Sequence, residues 1–263
     1  MIRASLVLVF LCAASAFAGQ QFKGPSAAIL SSTQAAIVAS SDDDDPEELE
    51  GLSAYWQMEE NTGTSTADDA GTHDSQLQNT PTWTTGISGN GLSFALASTE
   101  YGVNDNPPVI NESTAFSVSA WFKTSNTSSL NVIYSEGSTG STTPNIHVSV
   151  SGTADAICFG YRNDANTDGF FCDGDANVTD GAWHHIVAVQ ESANSRKLYL
   201  DGNLVETNTT NVTTPIFLNR STLAALGRTI YSSHFDGTLD QVRVYAARAL
   251  DAAAVTKIFN VQK

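Results

Sequence analysis

Positive charge is what this sequence has least of. Lys and Arg number 12 against 28 Asp and Glu in 263 residues, a net charge of −16. A surface that acidic repels phosphate backbones and anionic lipid heads, which excludes nucleic acid as a partner and leaves calcium, neutral sugars and basic partners. Cysteine is nearly absent too, with Cys12, Cys158 and Cys172 only, too few to build a thiolate metal site. Apolar runs are short. Leu6 to Cys12 cannot span a bilayer, and no later segment approaches the required length, so no membrane insertion is expected. No Gly-x-Ser-x-Gly elbow and no His-Glu-x-x-His helix is present, which removes two common hydrolase chemistries.

What is present begins with an export signal. Arg3 supplies a positive flank, Leu6 to Cys12 an apolar stretch, and Ala16-Phe17-Ala18 a small-x-small cleavage site before Gly19. Residues 1–18 therefore read as a signal peptide and the protein as secreted. Residues 19–50 are rich in Ser, Ala and Gln and close on Asp42-Asp43-Asp44-Asp45-Pro46-Glu47-Glu48. Like charges repel and small residues bury little, so this segment reads as a disordered acidic linker or pro-segment. Removing the signal leaves Cys158 and Cys172, which read as one disulfide across a hairpin. A loop of that length stabilises by about 3 kcal/mol in the chain-entropy view.

From Gly51 to the end, short alternating runs are separated by Gly, Asn, Asp, Ser and Thr. Phe116, Val118, Ala120 and Phe122 share one face, with Ser117, Ser119, Trp121 and Lys123 on the other. The same period-two pattern recurs from Trp183 to Gln190. Lys197 to Leu200, Asp201-Gly202 and Asn203 to Val205 read as strand, turn and strand. Leu239 to Tyr245 is a further strand. Near the end, Asp251 can cap a short helix in which Val255, Ile258 and Phe259 fall at helical spacing. The fold class is all-β: an antiparallel sandwich with a short C-terminal helix.

Several polar residues invite chemistry. His184 and His185 are adjacent on a strand and point to opposite faces, so they cannot grip one ion, and a buried structural histidine is expected. Asp164-Ala165-Asn166-Thr167-Asp168-Gly169 matches the first half of a calcium loop, with Asp175 where a longer Glu normally stands. The turn reading of this stretch is the stronger one, because hairpin tips favour the same residues. Glu112, Glu136, Glu191 and Glu206 stand alone. Six Asn-x-Ser/Thr sequons begin at Asn111, Asn126, Asn177, Asn208, Asn211 and Asn219. They are acceptors only on a eukaryotic secretory route.

An ordered series of short motifs then carries a resemblance. Ala54-Tyr55-Trp56-Gln57-Met58-Glu59-Glu60, Asp69-Ala70-Gly71, Trp83-x-x-Gly86-x-x-Gly89-x-Gly91-Leu92-x-Phe94, Phe116 to Lys123, Asp180-Gly181-Ala182-Trp183-His184-His185, Leu198-Tyr199-Leu200-Asp201-Gly202, Leu226-Gly227-Arg228, Phe235 to Tyr245 and Arg248-Ala249-Leu250 follow in order. Together they resemble the laminin-G-like, concanavalin-A-like jelly roll related to pentraxins and legume-type lectins, over roughly 51–263. The resemblance implies a jelly-roll sandwich and a recognition role. It also implies a structural calcium (Ca2+), whose candidate ligands in this sequence are Asp69 and Asp240, with Glu59 as a weaker third. Arg243 is left open as a plain solvent-side strand residue.

Glucanases sharing this architecture carry Glu-x-Asp-x-x-Glu on one strand, which sets acid and nucleophile beside the glycosidic bond. No such run occurs here, so a non-catalytic module is expected. Its partners are glycans or, as the alternative, extracellular or surface proteins in a structural or adhesive role. A divergent glycoside hydrolase is the third reading. Tyr161, Phe170 and Tyr231 are loop aromatics that could stack on sugar rings, or simply pack.

Overall fold

The computed structural model describes residues 50–105, 107–110, 113–174, 176–213, 218–227 and 231–261, without the side chain of Tyr231. The expected signal peptide, the linker up to residue 49, Asn111, Glu112, Asp175 and Arg228 lie outside them. Strand β7 (Phe116–Lys123) shows how the chain builds its layers. Phe116, Val118, Ala120 and Phe122 enter the main core, as the alternation requires. Yet Ser117, Ser119 and Trp121 on the other face are buried as well. Something covers the sheet from outside.

That cover is helix α1 (Ala252–Val261), which starts where expected: Asp251 Oδ1 accepts the Ala254 N–H at 2.8 Å. Val255 and Ile258 join Leu52, Tyr55, Val187, Val189, Tyr199, Tyr245 and Leu250 in a second apolar cluster. Phe259 stacks on Trp121 with ring centroids 5.5 Å apart. Arg243, a residue of this face, is buried rather than solvent-facing. Its guanidinium lies 4.0 Å from the Tyr55 ring and donates to the Tyr55 hydroxyl at 2.6 Å.

The front sheet runs β14 (Asn203–Asn208), β13 (Ser195–Leu200), β12 (Trp183–Ser192), β7, β18 (Gly237–Tyr245), β5 (Asn90–Phe94) and β4 (Thr82–Thr85), with β1 (Ala54–Trp56) also paired to β18. The back sheet runs β11 (Phe171–Cys172), β10 (Ala156–Arg162), β9 (Asn145–Ser151), β8 (Leu130–Gly137), β15 (Arg220–Leu223), β6 (Tyr101–Asn104), β3 (Ser75–Gln78) and β2 (Ser65–Thr66). A small third ribbon pairs β16 (Leu226–Gly227) with β17 (Tyr231–Ser232). These pairings are antiparallel.

Between the sheets, Trp56, Phe94, Phe116, Phe122, Tyr134 and Phe159 fill the main core. Each such side chain contributes about 1.5–3 kcal/mol by leaving water. The Asp201-Gly202 turn joins β13 to β14 with φ of 49° and 81°, the positive pair that a two-residue hairpin of this twist demands. No helix among the described residues is long and apolar enough to cross a membrane.

Candidate functional site

Two places on the sandwich gather polar chemistry. The first is the turn at residues 86–90. Asp240, fully buried on β18, accepts the N–H groups of Ile87 (2.9 Å) and Ser88 (3.3 Å) through Oδ2. Its Oδ1 is buried and has no hydrogen-bond partner among the described residues. Glu59 reaches the same turn from the residue after Met58, which takes a φ of 61°. Its Oε2 accepts the Asn90 N–H at 3.0 Å. Only glycine fits at position 86, because a Cβ there would stand 2.2 Å from Asp240 Oδ2 and 2.3 Å from the Asn90 carbonyl oxygen. Burial pushes the Asp240 carboxyl up to about 7, and the charge of Glu59 adds to the rise.

The third expected ligand is elsewhere. Asp69 donates its N–H to the Tyr55 carbonyl, and the carboxylates acting on it are Glu60, Asp68 and Asp74. Burial together with those charges raises its carboxyl to about 6. The fold thus brings Glu59 and Asp240 to one turn and leaves Asp69 in a neighbouring acidic group organised by Asp68. The Asp68 carboxylate accepts the N–H groups of Tyr55, Ala70 and His73. Among the described residues, no cluster of three or more His, Cys, Asp or Glu side chains could hold a metal by itself. The two carboxylates at the 86–90 turn still suit a hard cation, because one buried oxygen lacks a donor and calcium accepts backbone oxygens as ligands.

The second place is the outer face of the back sheet. On β9, Ile146, Val148 and Val150 point into the core, which turns Asn145, His147 and Ser149 the other way. On β10, Ile157, Phe159 and Tyr161 point inward, which turns Gly160 and Arg162 outward beside His147 and Asn145, their register partners. Gly160 leaves room for the imidazole, since a Cβ there would lie 1.9 Å from His147 Cε1. His147 Nδ1 meets Asn145 Oδ1 at 3.3 Å.

The segment between the cysteines folds back over this face. Cys158 and Cys172 are register partners on β10 and β11 and form the expected disulfide. The stretch 163–168 is a turn, as its composition suggested: Asn163 Oδ1 accepts the Thr167 N–H, and Asn166 has a φ of 63°. Asp168 is bonded to Arg162 and also accepts the Phe170 N–H at 2.9 Å. Burial alone would raise its carboxyl, but the bonds from Arg162 and Phe170 and the nearby positive charges hold it below its ordinary value. Phe170 stacks on His147 with centroids 5.9 Å apart while remaining 45% exposed.

These residues line a cleft of about 310 Å³, with Leu226 and Ser233 forming part of its wall. Gly227 fastens that wall to the sheet by donating to Ser135 Oγ at 2.9 Å. Of the three loop aromatics singled out from sequence, Phe170 is the one exposed at the cleft. The Tyr161 side chain is fully buried in the core, and that of Tyr231 lies outside the described residues.

Asn145, His147 and Arg162 escaped sequence reasoning as site residues. The usable signal was polar alternation on a strand that faces a disulfide-tied loop. Two of the lone glutamates, Glu136 and Glu191, serve the fold. Glu136 is fully buried and accepts the N–H groups of Val109 and Ile110 and the Tyr134 hydroxyl. Glu191 pairs with Lys197. His185 is buried with Nε2 2.8 Å from Ser119 Oγ, and desolvation lowers its pKa to about 3. It is the structural histidine the alternation implied.

A family model described as the concanavalin A-like lectin/glucanases superfamily matches residues 97–256. No curated protein matches the chain. Among solved structures, the binding domain of Paraclostridial Mosquitocidal Protein 1 is similar, with a TM-score of 0.62 at 15% identity over 81% of this chain and 52% of that one. Botulinum neurotoxin type C, whose cell entry depends on interaction with two ganglioside molecules, aligns with a TM-score of 0.62 at 13% identity over 82% and 53%. Domain 4 of AbnA, a GH43 extracellular arabinanase from Geobacillus stearothermophilus, in complex with arabinotriose, gives 0.60 at 17% over 81% and 98%. The chain therefore spans about half the length of the toxin structures it matches and nearly all of the arabinanase domain. At these identities the likeness is one of fold.

Proposed function

Because the chain belongs to the concanavalin A-like lectin/glucanases superfamily, we propose that it is a non-catalytic glycan-recognition module whose ligand enters the cleft on β9 and β10. The observation that carries this reading is Phe170, an exposed aromatic ring at the mouth of a cleft whose polar lining includes Asn145, His147, Arg162 and Asp168. A sugar needs an apolar platform for its ring face and planar polar groups for its hydroxyls, and the cleft offers both. Domains of this fold occur with arabinotriose in an arabinanase and with a ganglioside requirement in a neurotoxin. Hydrolysis is disfavoured because, among the described residues, Asp168 is the single carboxylate lining the cleft and is bonded to Arg162. Acid and nucleophile, or acid and base, need two.

Glu59 and Asp240 would hold a calcium ion at the 86–90 turn, on the sheet that does not carry the cleft. There the ion would neutralise two carboxylates and rigidify the turn. Export is supported by the disulfide, which persists in oxidising compartments. A protein-binding role has one observation in its favour: edge strand β14 exposes Leu204 at 50% and Val205 at 38%.

Calorimetric titration with a panel of neutral and acidic oligosaccharides tests the proposal. The expected result is binding in the micromolar to millimolar range, weakened about tenfold in Phe170→Ala by loss of the stacking surface. That variant should melt as the parent does, because the ring is already half in solvent. No binding by the parent at millimolar sugar would discard the reading.

A further inference from the structure

Resting on the glycan reading of the same cleft, we infer that the site selects neutral sugars and rejects acidic ones. Recognition of a carboxylate sugar calls for a guanidinium free to present paired N–H donors. The arginine of this cleft already has a carboxylate partner. Arg162 Nη2 is bonded to Asp168 Oδ2 from within the site, and both side chains stay partly open to solvent, at 35% and 44%.

The other basic groups nearby are not available either. His147 is 8% exposed, lies beneath the Phe170 ring and turns Nδ1 to Asn145. Arg196, close behind Gly169, spends its guanidinium on the carbonyls of Ala193, Thr210 and Val212.

A neutral sugar can use the Arg162–Asp168 pair as it stands, with hydroxyls donating to the carboxylate and accepting from the guanidinium. An acidic sugar must instead compete with Asp168 for Arg162, or set its carboxylate beside another one. It must also approach a chain whose net charge is −16. An exposed platform beside an internally neutralised ion pair therefore defines a ligand class: linear or branched sugars rich in vicinal hydroxyls and free of carboxylates.

The full chain is titrated at neutral pH with arabinotriose and maltotriose as neutral probes and with sialyllactose and trigalacturonate as acidic ones. At least one neutral probe is expected to bind, with acidic probes about tenfold weaker or undetected. Asp168→Asn should erase this preference. It keeps an oxygen for the Phe170 N–H and releases Arg162, so acidic probes should gain about tenfold. Should that variant melt below the assay temperature, salt decides on the parent: neutral-probe affinity should not change between about 50 and about 500 mM NaCl.

If acidic probes bind the parent as tightly as neutral ones, and Phe170→Ala abolishes that binding, the charge argument is overturned while the cleft remains the glycan site. If none of the four probes binds, the glycan reading falls and this inference with it.

Discussion

Arg196 illustrates how much one buried side chain organises here. It is 1% exposed, lies 4.6 Å from the Tyr161 ring centre and ties three backbone carbonyls together, with no carboxylate partner among the described residues. Arg196→Met fills similar volume but leaves those carbonyls without donors. The expected loss is about 3 kcal/mol, or roughly 8 °C in a thermal melt. A change of under a degree would mean that water replaces the guanidinium freely.

His184 gives the molecule a pH dependence of known sign. Its ring nitrogens meet Asp201 at 2.9 Å and Asp180 at 3.3 Å, and the Asp201 hydrogen bond is the main reason its pKa lies above 6.5. A histidine with a raised folded pKa stabilises fully below the unfolded value, and that contribution disappears as pH rises through the folded one. His184→Gln should therefore melt about 2 °C below the parent at pH 6 and approach it by pH 9. His185, held neutral by burial, acts in the other direction and at lower pH, so it does not mask this window.

At the scale of elements, β11 depends on its disulfide. It contributes two residues to the back sheet, and the bond joins one of them to β10 across 14 positions. The chain-entropy argument predicts a loss of about 3 kcal/mol in the Cys158→Ser, Cys172→Ser double variant. Because β11 follows directly on Phe170, the same variant should also bind sugar more weakly, so melting and calorimetry should change together. Retained affinity in the reduced protein would show that the turn at 163–168 holds the platform alone. The C-terminal helix plays the complementary role on the front sheet, where it converts an outer strand face into a second core.

For the molecule as a whole, calcium is the decisive ligand to test. A melt in millimolar calcium should run several degrees above one in EDTA, since a ligand at a hundred times its Kd stabilises by about 2.7 kcal/mol. Asp240→Asn should erase the difference, and Asp69→Asn should keep it, because the charges acting on Asp69 are Glu60, Asp68 and Asp74 and not the carboxylates of the 86–90 turn. An EDTA-insensitive melt would make Glu59 and Asp240 plain turn anchors.

Period-two alternation, the Asp201-Gly202 turn and the Asp251 cap were legible in the sequence because each is decided by neighbours a few residues away. The sandwich and its short helix followed from that local pattern, and the cysteine pairing from there being two cysteines left in an exported chain. The burial of Arg243 was not legible, because it depends on Tyr55, which strand pairing brings in from the other end of the domain. Nor was the parting of Asp69 from Glu59 and Asp240, since carboxylates converge through strand register and not through spacing. The cleft belongs to the same class. Asn145, Arg162, Asp168 and Phe170 meet only when β9, β10 and the disulfide-tied loop stack across the sheet, and contacts of that range are written in three dimensions alone.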